Sequence, residues 1–362
     1  NNIGIFFSKH LGKLEEKHGS ITVSGQVKKD LSEAKQGRDN VLRKLGSFVR
    51  SKTLLVLTTL LIAFFGAAMH GDWMIIAVFL MKSGQKSADD SVGSDEGEER
   101  DWLTRHHLQG VHWYILMAIA VSYVSYFALC GFLQWHFYIK RRDKPEEWKC
   151  QPDRFLTPED ERHEIVLGSL NMIQGGTYSG AIACFIINGG KTCLYFDPLE
   201  RGLAYLLLSI PLAFLVMDAG AYYMHRLFHE RYLYKYIHKW HHRYKAPTAF
   251  SATALHPVEF IVFQTVLALP IFCIPIYAGA YITLILYNYY YGMIDHSGIK
   301  MDAVWPWQPS TMFHDDHHKF FHVNFGFNLK LWDWMHDTLT RKNRIYSEEI
   351  FGGRGKSVES RK

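Results

Sequence analysis

Three histidine clusters carry the chemistry that this sequence can do. They are His225-Arg226-Leu227-Phe228-His229, His238-Lys239-Trp240-His241-His242 and His314-Asp315-Asp316-His317-His318. On a helix, residues three or four apart project from one face about one turn apart, so each cluster aims two or three imidazoles into one volume. Isolated histidines stand at His256, before Pro257, and at His296, within Asp295-His296-Ser297-Gly298. Twelve of the twenty histidines fall between His225 and His336, a window of 112 of the 362 residues where an even spread would put about six.

Imidazole suits zinc, copper, iron and nickel, whereas magnesium and calcium prefer oxygen. A closed zinc site takes four ligands and a haem one or two axial ones. Eight or more histidines in three groups exceed either need. Two adjacent ions, with several nitrogens each and room for an exogenous ligand, would use them all, and a metal pair can handle dioxygen where a lone zinc cannot. A ligating histidine usually donates its other N–H to a carboxylate or carbonyl. Acids stand in suitable places at Asp218, Glu230, Glu259, Asp295, Asp315 and Asp316. Asp218 is favoured, because it lies two helical turns before His225 and is costly in an apolar run without a partner. Asp295, His256 and His322 are further candidates for the metal or its surroundings. His106, His107, His112 and His136 flank apolar runs and need no metal.

Apolar helices must position this array. Hydrophobic residues make up 48% of the chain and charged residues 21%, below the roughly 25% charged of an average globular protein. The mean hydropathy of −0.09 looks soluble only because polar ends average against long apolar runs. Thr53–Met81 holds one formal charge, Asp72, and Val111–Ile139 none in 29 residues; crossing the hydrocarbon takes about 20. Gly202–Met217 extends to Met224 past Asp218. Phe260–Ile294, 35 uncharged residues broken by Pro270 and Pro275, is too long for one span and reads as a helical hairpin. Ile165–Gly190 is uncharged but rich in Gly, Ser and Asn, which leaves a weak span and a re-entrant element both open. The expected fold is all-α, a multi-pass bundle of about four to six membrane helices with a cytosolic helical cap carrying the di-metal site.

Charge orients the bundle. Eleven Lys and Arg against five acids before Thr53 put the N-terminus in the cytosol, and the acidic loop 82–110 fits the opposite side. Lys140, Arg141, Arg142 and Lys144 return the chain to the cytosol. A down-and-up pair from Ile165–Gly190 and Gly202–Met224 then brings His225 out on the same face, where the hairpin also begins and ends. Val27, Leu31, Ala34, Val41, Leu45 and Phe48 lie near helical spacing, consistent with a solvated or an interfacial helix. The expected organisation is a polar segment at 1–52, two spans within 53–139, a connecting region at 140–202, a catalytic domain at 203–345 and a disordered tail at 346–362. Five scattered cysteines without a CxxC fit neither a thiolate metal site nor a disulfide framework, and the polar first fifty residues carry no cleavable signal pattern.

Together with Leu255-His256-Pro257 and Asp295-His296-Ser297-Gly298, the three boxes resemble the fatty acid hydroxylase/sterol desaturase superfamily of membrane-bound di-iron enzymes. The resemblance covers roughly Leu206 to Leu339. Ala246-Pro247-Thr248-Ala249-Phe250 and Asn324-Phe325-Gly326 leading to Leu331-Trp332-Asp333 look like its sterol C5-desaturase branch. C4-methyl sterol oxidases and fatty acyl or sphingolipid hydroxylases share the boxes. The resemblance implies two iron ions held by His225, His229, His238, His241, His242, His314, His317 and His318, with His296 matching a further ligand. It implies O2-dependent desaturation or hydroxylation of a lipid, most closely a sterol, in the endoplasmic reticulum membrane. Electrons would come from cytochrome b5 and its NAD(P)H-linked reductase, because the chain lacks a dinucleotide fingerprint and a haem attachment motif. Arg226, Arg231, Lys235, Lys239, Arg243, Lys245 and Lys319 would suit an acidic redox partner; no nucleic-acid partner is expected. Tyr287, Tyr289, Tyr290, Tyr291, Trp305, Trp307 and Phe313 are expected to wall the lipid. The competing class is a membrane metal transporter. Transporters place ligands within spans near the midplane, whereas these boxes follow the spans.

Overall fold

The computed structural model describes residues 52–84, 101–303 and 305–358, together with Gln36. The amphipathic segment at 27–48 and most of the acidic loop lie outside the described residues. The chain divides into Asn1–Thr58 and Thr59–Lys362, and all packing described below lies within the second unit.

The described chain is predominantly helical. Four of its helices are long and apolar enough to cross a membrane: α1 (Lys52–Met69), α3 (Val111–Leu133, continued by a π-helical turn to Ile139), α4 (Pro158–Ile187) and α5 (Leu203–Phe228). The expected single run Thr53–Met81 is broken. α1 ends at Met69, His70–Asp72 form a turn, and α2 (Trp73–Gly84) follows. Gly71 takes φ 84°, a left-handed conformation that costs glycine nothing. The break lets the Asp72 carboxylate reach Ser179 Oγ at 2.6 Å and the Tyr289 hydroxyl. A continuous helix would have left that carboxylate unpaired in an apolar layer.

The Gly- and Ser-rich run is a full helix. Pro158 sits in the first turn of α4, Thr157 Oγ1 accepts from the Asp160 N–H at 3.1 Å, and Glu159, Asp160 and Glu161 face the helix N-terminus. These are the residue types that start helices. Its small residues serve packing: a Cβ on Gly176 would stand 2.8 Å from Ile119 N, and one on Gly180 2.9 Å from Ile115 Cα. α3 and α4 thus meet backbone to backbone, as small residues four apart permit. α5 turns Leu203, Leu207, Leu208 and Leu212 outward, with Leu208 70% exposed. A row of leucines this open suits hydrocarbon rather than water.

The hairpin consists of α7 (Pro257–Ala268), a reversal containing Pro270 and Pro275, and α8 (Ala278–Asp295). Its tip is tied to the α4–α5 connection by two parallel two-residue strands, β1 (Leu194–Tyr195) and β2 (Ile276–Tyr277). The cap holds α6 (Arg231–Tyr236), 3-10 turns at His238–Arg243 and Ala249–Thr253, α9 (Met312–Phe320) and α10 (Leu331–His336). The tail differs from expectation as far as Val358. β3 (Arg344–Ile345) pairs antiparallel with β4 (Lys356–Ser357), and Phe351 packs on His322 at 4.1 Å between ring centroids. Composition misses this because the tail adds contacts to an existing core rather than forming its own. All five cysteines are free.

The glycine contact yields a test. Gly176→Val should lower the thermal midpoint in detergent by the equivalent of about 1–3 kcal/mol, because backbone atoms cannot yield to the added carbons. Gly131→Ala, where nothing lies within 4 Å, should leave the midpoint unchanged or raise it slightly.

Candidate metal centre

Nine buried histidines converge from four pieces of chain. α5 ends by delivering His225 and His229, four residues apart. The second cluster is a 3-10 turn rather than an α-helix, and this tighter winding separates its members: His238 and His242 join one group, His241 the other. α9 divides likewise, with His314 and His318 on one face and His317 on the next. His296 enters at the C-terminus of α8. The two groups are His225, His229, His238, His242 and His317, and His241, His296, His314 and His318. Within each, the candidate ligand atoms all lie within 4.8 Å of one another.

The nitrogen spacing fits metal ions. His242 Nε2 lies 3.0 Å from His317 Nε2 and 3.3 Å from His229 Nε2. In the second group, His296 Nε2 stands 2.9 Å from His314 Nε2 and 3.2 Å from His241 Nε2. Neighbouring ligands on an ion with bonds near 2.1 Å are separated by about 3.0–3.4 Å.

In four of the nine rings the outer nitrogen is engaged by a carbonyl or carboxylate, which turns the other lone pair inward. His225 Nδ1 donates to Phe325 O at 2.8 Å and His317 Nδ1 to Val323 O at 2.6 Å. His238 Nδ1 donates to Glu259 Oε1 at 2.5 Å, and His296 Nδ1 meets Asp295 Oδ1 at 2.5 Å. A ring whose Nδ1 carries the proton presents a bare Nε2. His238 Nε2 is such an atom, buried without a hydrogen-bond partner among the described residues, and His318 Nε2 is likewise unpartnered. Burial, reinforced by neighbouring imidazoles, holds His229, His238, His242, His314 and His318 well below the usual histidine range. The rings are therefore neutral at pH 7, the state that binds metals. Facing lone pairs at about 3 Å repel, and a cation between them removes the repulsion.

Three expectations need correction. Asp218 does not touch a histidine. It accepts from the Asn328 N–H at 2.9 Å and from Trp332 Nε1 at 2.7 Å, because seven residues of helix put it about 10 Å from His225. The carboxylates that do support the clusters are Asp295, beside His296, and Glu259, in the first turn of α7. Only its proximity to His256-Pro257 marks Glu259 in the sequence. His256 stays outside both groups as the N-cap of α7, its ring 4.7 Å from that of Trp240. The aromatic wall is also rearranged. Consecutive helical residues point about 100° apart, so of Tyr287, Tyr289, Tyr290 and Tyr291 only Tyr289 lines the cavity below the histidines. Trp305, Trp307 and Phe313 are absent from its lining, and Phe260, Phe263 and Phe327 provide the wall instead. His322, an outer candidate, does touch the array: its Nδ1 lies 3.0 Å from His229 Nδ1 and its Nε2 meets Glu348 O at 2.8 Å.

A bundle of helices apolar and long enough to cross a membrane, carrying two closed groups of buried imidazoles that could each hold a metal ion, defines the class of protein. Residues 210–338 match the fatty acid hydroxylase family model. The chain is 32% identical over 148 residues to the lathosterol oxidase of Rattus norvegicus, covering 40% of this chain and 50% of that protein. It is 31% identical over 139 residues to a Delta(7)-sterol 5(6)-desaturase of Gibberella zeae, covering 38% and 43%. It is 28% identical over 232 residues to the C-4 methylsterol oxidase of Schizosaccharomyces pombe, covering 60% and 74%. The chain spans about half the length of the first two of these relatives. No solved structure matches it. The chain is thus similar to the fatty acid hydroxylase family over residues 210–338 and to the sterol desaturases and methylsterol oxidases among its relatives.

Replacing Glu259 with Leu should weaken metal binding about 10–100-fold, the usual cost of removing an acceptor behind a ligating histidine. Metal content after dialysis against a graded chelator series measures this, and Glu259→Gln, which keeps an acceptor oxygen, should fall between Leu and the native residue.

Proposed function

We propose that this protein is a membrane-bound, O2-dependent di-iron oxidoreductase that desaturates or hydroxylates a lipid, foremost a sterol. One observation carries the reading. The apolar cavity walled by Phe260, Phe263 and Phe327 also takes His225 and His238 from one group and His241, His296 and His314 from the other into its lining. A lipid carbon in that cavity would lie directly against the centre. The cavity encloses about 840 Å³ of empty space, mouth included.

In this reading His225, His229, His238, His242 and His317 hold one iron, and His241, His296, His314 and His318 the other. When bound, the iron pair supplies dioxygen activation and removal of hydrogen from an unactivated carbon, which no side-chain acid or base can drive. The chain's own residues supply the setting. Glu259, Asp295 and the carbonyls of Val323 and Phe325 fix the ring orientations. The phenylalanine wall excludes water and aligns the substrate. Desaturation and hydroxylation differ in substrate placement on a scale of about 1 Å, so residues of this wall would set the outcome.

The sterol reading draws on the relatives named above, and C4-methyl oxidation is its alternative because the C-4 methylsterol oxidase aligns over the longest stretch of the three. Histidines at helix ends, opening on an apolar cavity, favour an oxidase over a metal transporter. Arg231, Lys235, Lys245 and Lys319 are exposed around the centre and would receive an acidic electron donor such as cytochrome b5. Lys239 and Arg243 are already engaged with Glu348 and Asp160. The basic residues flanking the spans support an endoplasmic reticulum orientation with the centre facing the cytosol.

Purified protein should carry close to two irons per chain, and His241→Ala or His317→Ala should remove iron and lipid oxidation together. Retention of both by either variant would sink the assignment. Cells lacking the protein should accumulate a Δ7-sterol at the expense of its 5,6-unsaturated product; accumulation of a 4-methyl sterol would instead select the alternative.

A further inference from the structure

The cavity has a second polar end that metal binding does not use. His70, Gln264 and Tyr289 line it there. Tyr289 precedes His296 by seven residues and Gln264 follows Glu259 by five, which sets them about 10 Å and about 8 Å along their helices from the centre. His70 occupies the turn between α1 and α2. Its ring lies nearly parallel to those of Tyr289 and Phe260, at 4.2 and 5.8 Å between centroids.

Hydrogen bonding leaves this end incomplete. His70 Nδ1 donates to Gly66 O at 2.9 Å, so Nε2 carries a lone pair, and it has no partner among the described residues. The Tyr289 hydroxyl donates to Asp72 and bonds one end of the Gln264 amide at 3.0 Å. Whichever way that amide is turned, its other polar atom is left toward the cavity. His70 and Gln264 are only 9% and 5% exposed, and unpaired polar atoms in such surroundings are costly. Asp72, Ser179 and Tyr289 satisfy one another; His70 and Gln264 lack a ligand.

We infer that His70 and Gln264 form a subsite for the hydroxyl of a lipid alcohol, which enters hydroxyl first and presents to the histidines a carbon about 10 Å or less from that hydroxyl. A hydroxyl both donates and accepts, which matches a bare imidazole nitrogen beside an amide. A rigid sterol, with its hydroxyl on the ring system, satisfies the distance. An acyl chain entering methyl end first leaves both groups unpaired. The placing of the oxidised carbon rests on the oxidoreductase reading above; the hydroxyl subsite does not. His70 lies outside the matched residues 210–338 and Gln264 within them, so the N-terminal helices share in this selectivity.

The test is equilibrium binding of Δ7-cholestenol and of its 3-O-methyl ether to the full chain in detergent. The native protein should prefer the free alcohol by at least about tenfold, since sites built around a hydroxyl reject analogues that lack it. His70→Phe and Gln264→Leu should each cut the preference below about threefold, with metal content and thermal midpoint unchanged. His70→Gln, which keeps an acceptor, should recover part of it. If His70→Phe does not fold, Gln264→Leu carries the comparison. Equal binding of alcohol and ether by the native protein, no binding of either, or an undiminished preference in the folded variants overturns the subsite. A hydroxyl preference without any lipid oxidation would leave the subsite standing and remove the enzyme reading. Oxidation of a lipid without the preference would do the reverse.

Discussion

Nine buried imidazoles packed with their ring nitrogens about 3 Å apart is an arrangement that polypeptide alone does not favour. Each ring loses its hydration on burial, and lone pairs about 3 Å apart repel in a medium that screens poorly. Many of the surrounding contacts act to hold that arrangement. Glu259, Asp295 and two backbone carbonyls keep protons on the outward nitrogens, and a histidine free to rotate would relieve the repulsion by turning away. The centre is thus held open by its periphery until a cation makes the inward geometry favourable.

That periphery reaches well beyond the histidines. The carbonyls of Val323 and Phe325 serve His317 and His225 only because their loop is fixed. Asp333 fixes it by accepting from the Phe325 and Gly326 N–H groups at 2.9 and 2.7 Å and from Thr338 Oγ1 at 2.6 Å. Asp218 secures the following stretch through Asn328 and Trp332. A carboxylate that sequence spacing assigns to a histidine therefore works one layer further out, on the backbone that supports the histidine. Below, the α1–α2 break, the close α3–α4 contact and the α7–α8 hairpin bring Asp72, Ser179, Gln264 and Tyr289 together. Polar groups inside the bundle gather at two levels, at the metal centre and at the deep end of the cavity.

What could be read from the sequence follows from what is local. The three boxes, His296 and its neighbour Asp295 are visible because ligand spacing is a short-range pattern, and the long spans are visible because hydropathy is additive along the chain. The partners of the rings are not. Glu259 is one of six acids with similar standing in the sequence, and it reaches His238 only because the 3-10 turn and α7 are brought together by the fold. Carbonyl acceptors carry no sequence signal, since every residue has one. The helix break at Gly71 is hidden because a single glycine in an apolar run is ordinarily tolerated. The aromatic wall differs from expectation for a geometric reason: Tyr287 and the consecutive Tyr289, Tyr290 and Tyr291 cannot share one direction on a helix.

A segment made after all three boxes closes the first part of the site. Glu348 holds His322 through its carbonyl and Lys239 through its carboxylate at 2.7 Å, and Phe351 covers the His322 ring. His322 in turn rests on His229, which leaves the ribosome 119 residues before Glu348. At ordinary synthesis rates of about 5–20 residues per second, that gap lasts roughly 6–24 s. Throughout it the first cluster has emerged without its third-box partner for most of the time and without its closing strap for all of it. Assembly of the centre therefore follows the first cluster's emergence by seconds. The nascent protein must pass through a period in which its imidazoles are still hydrated and open to any metal the compartment offers.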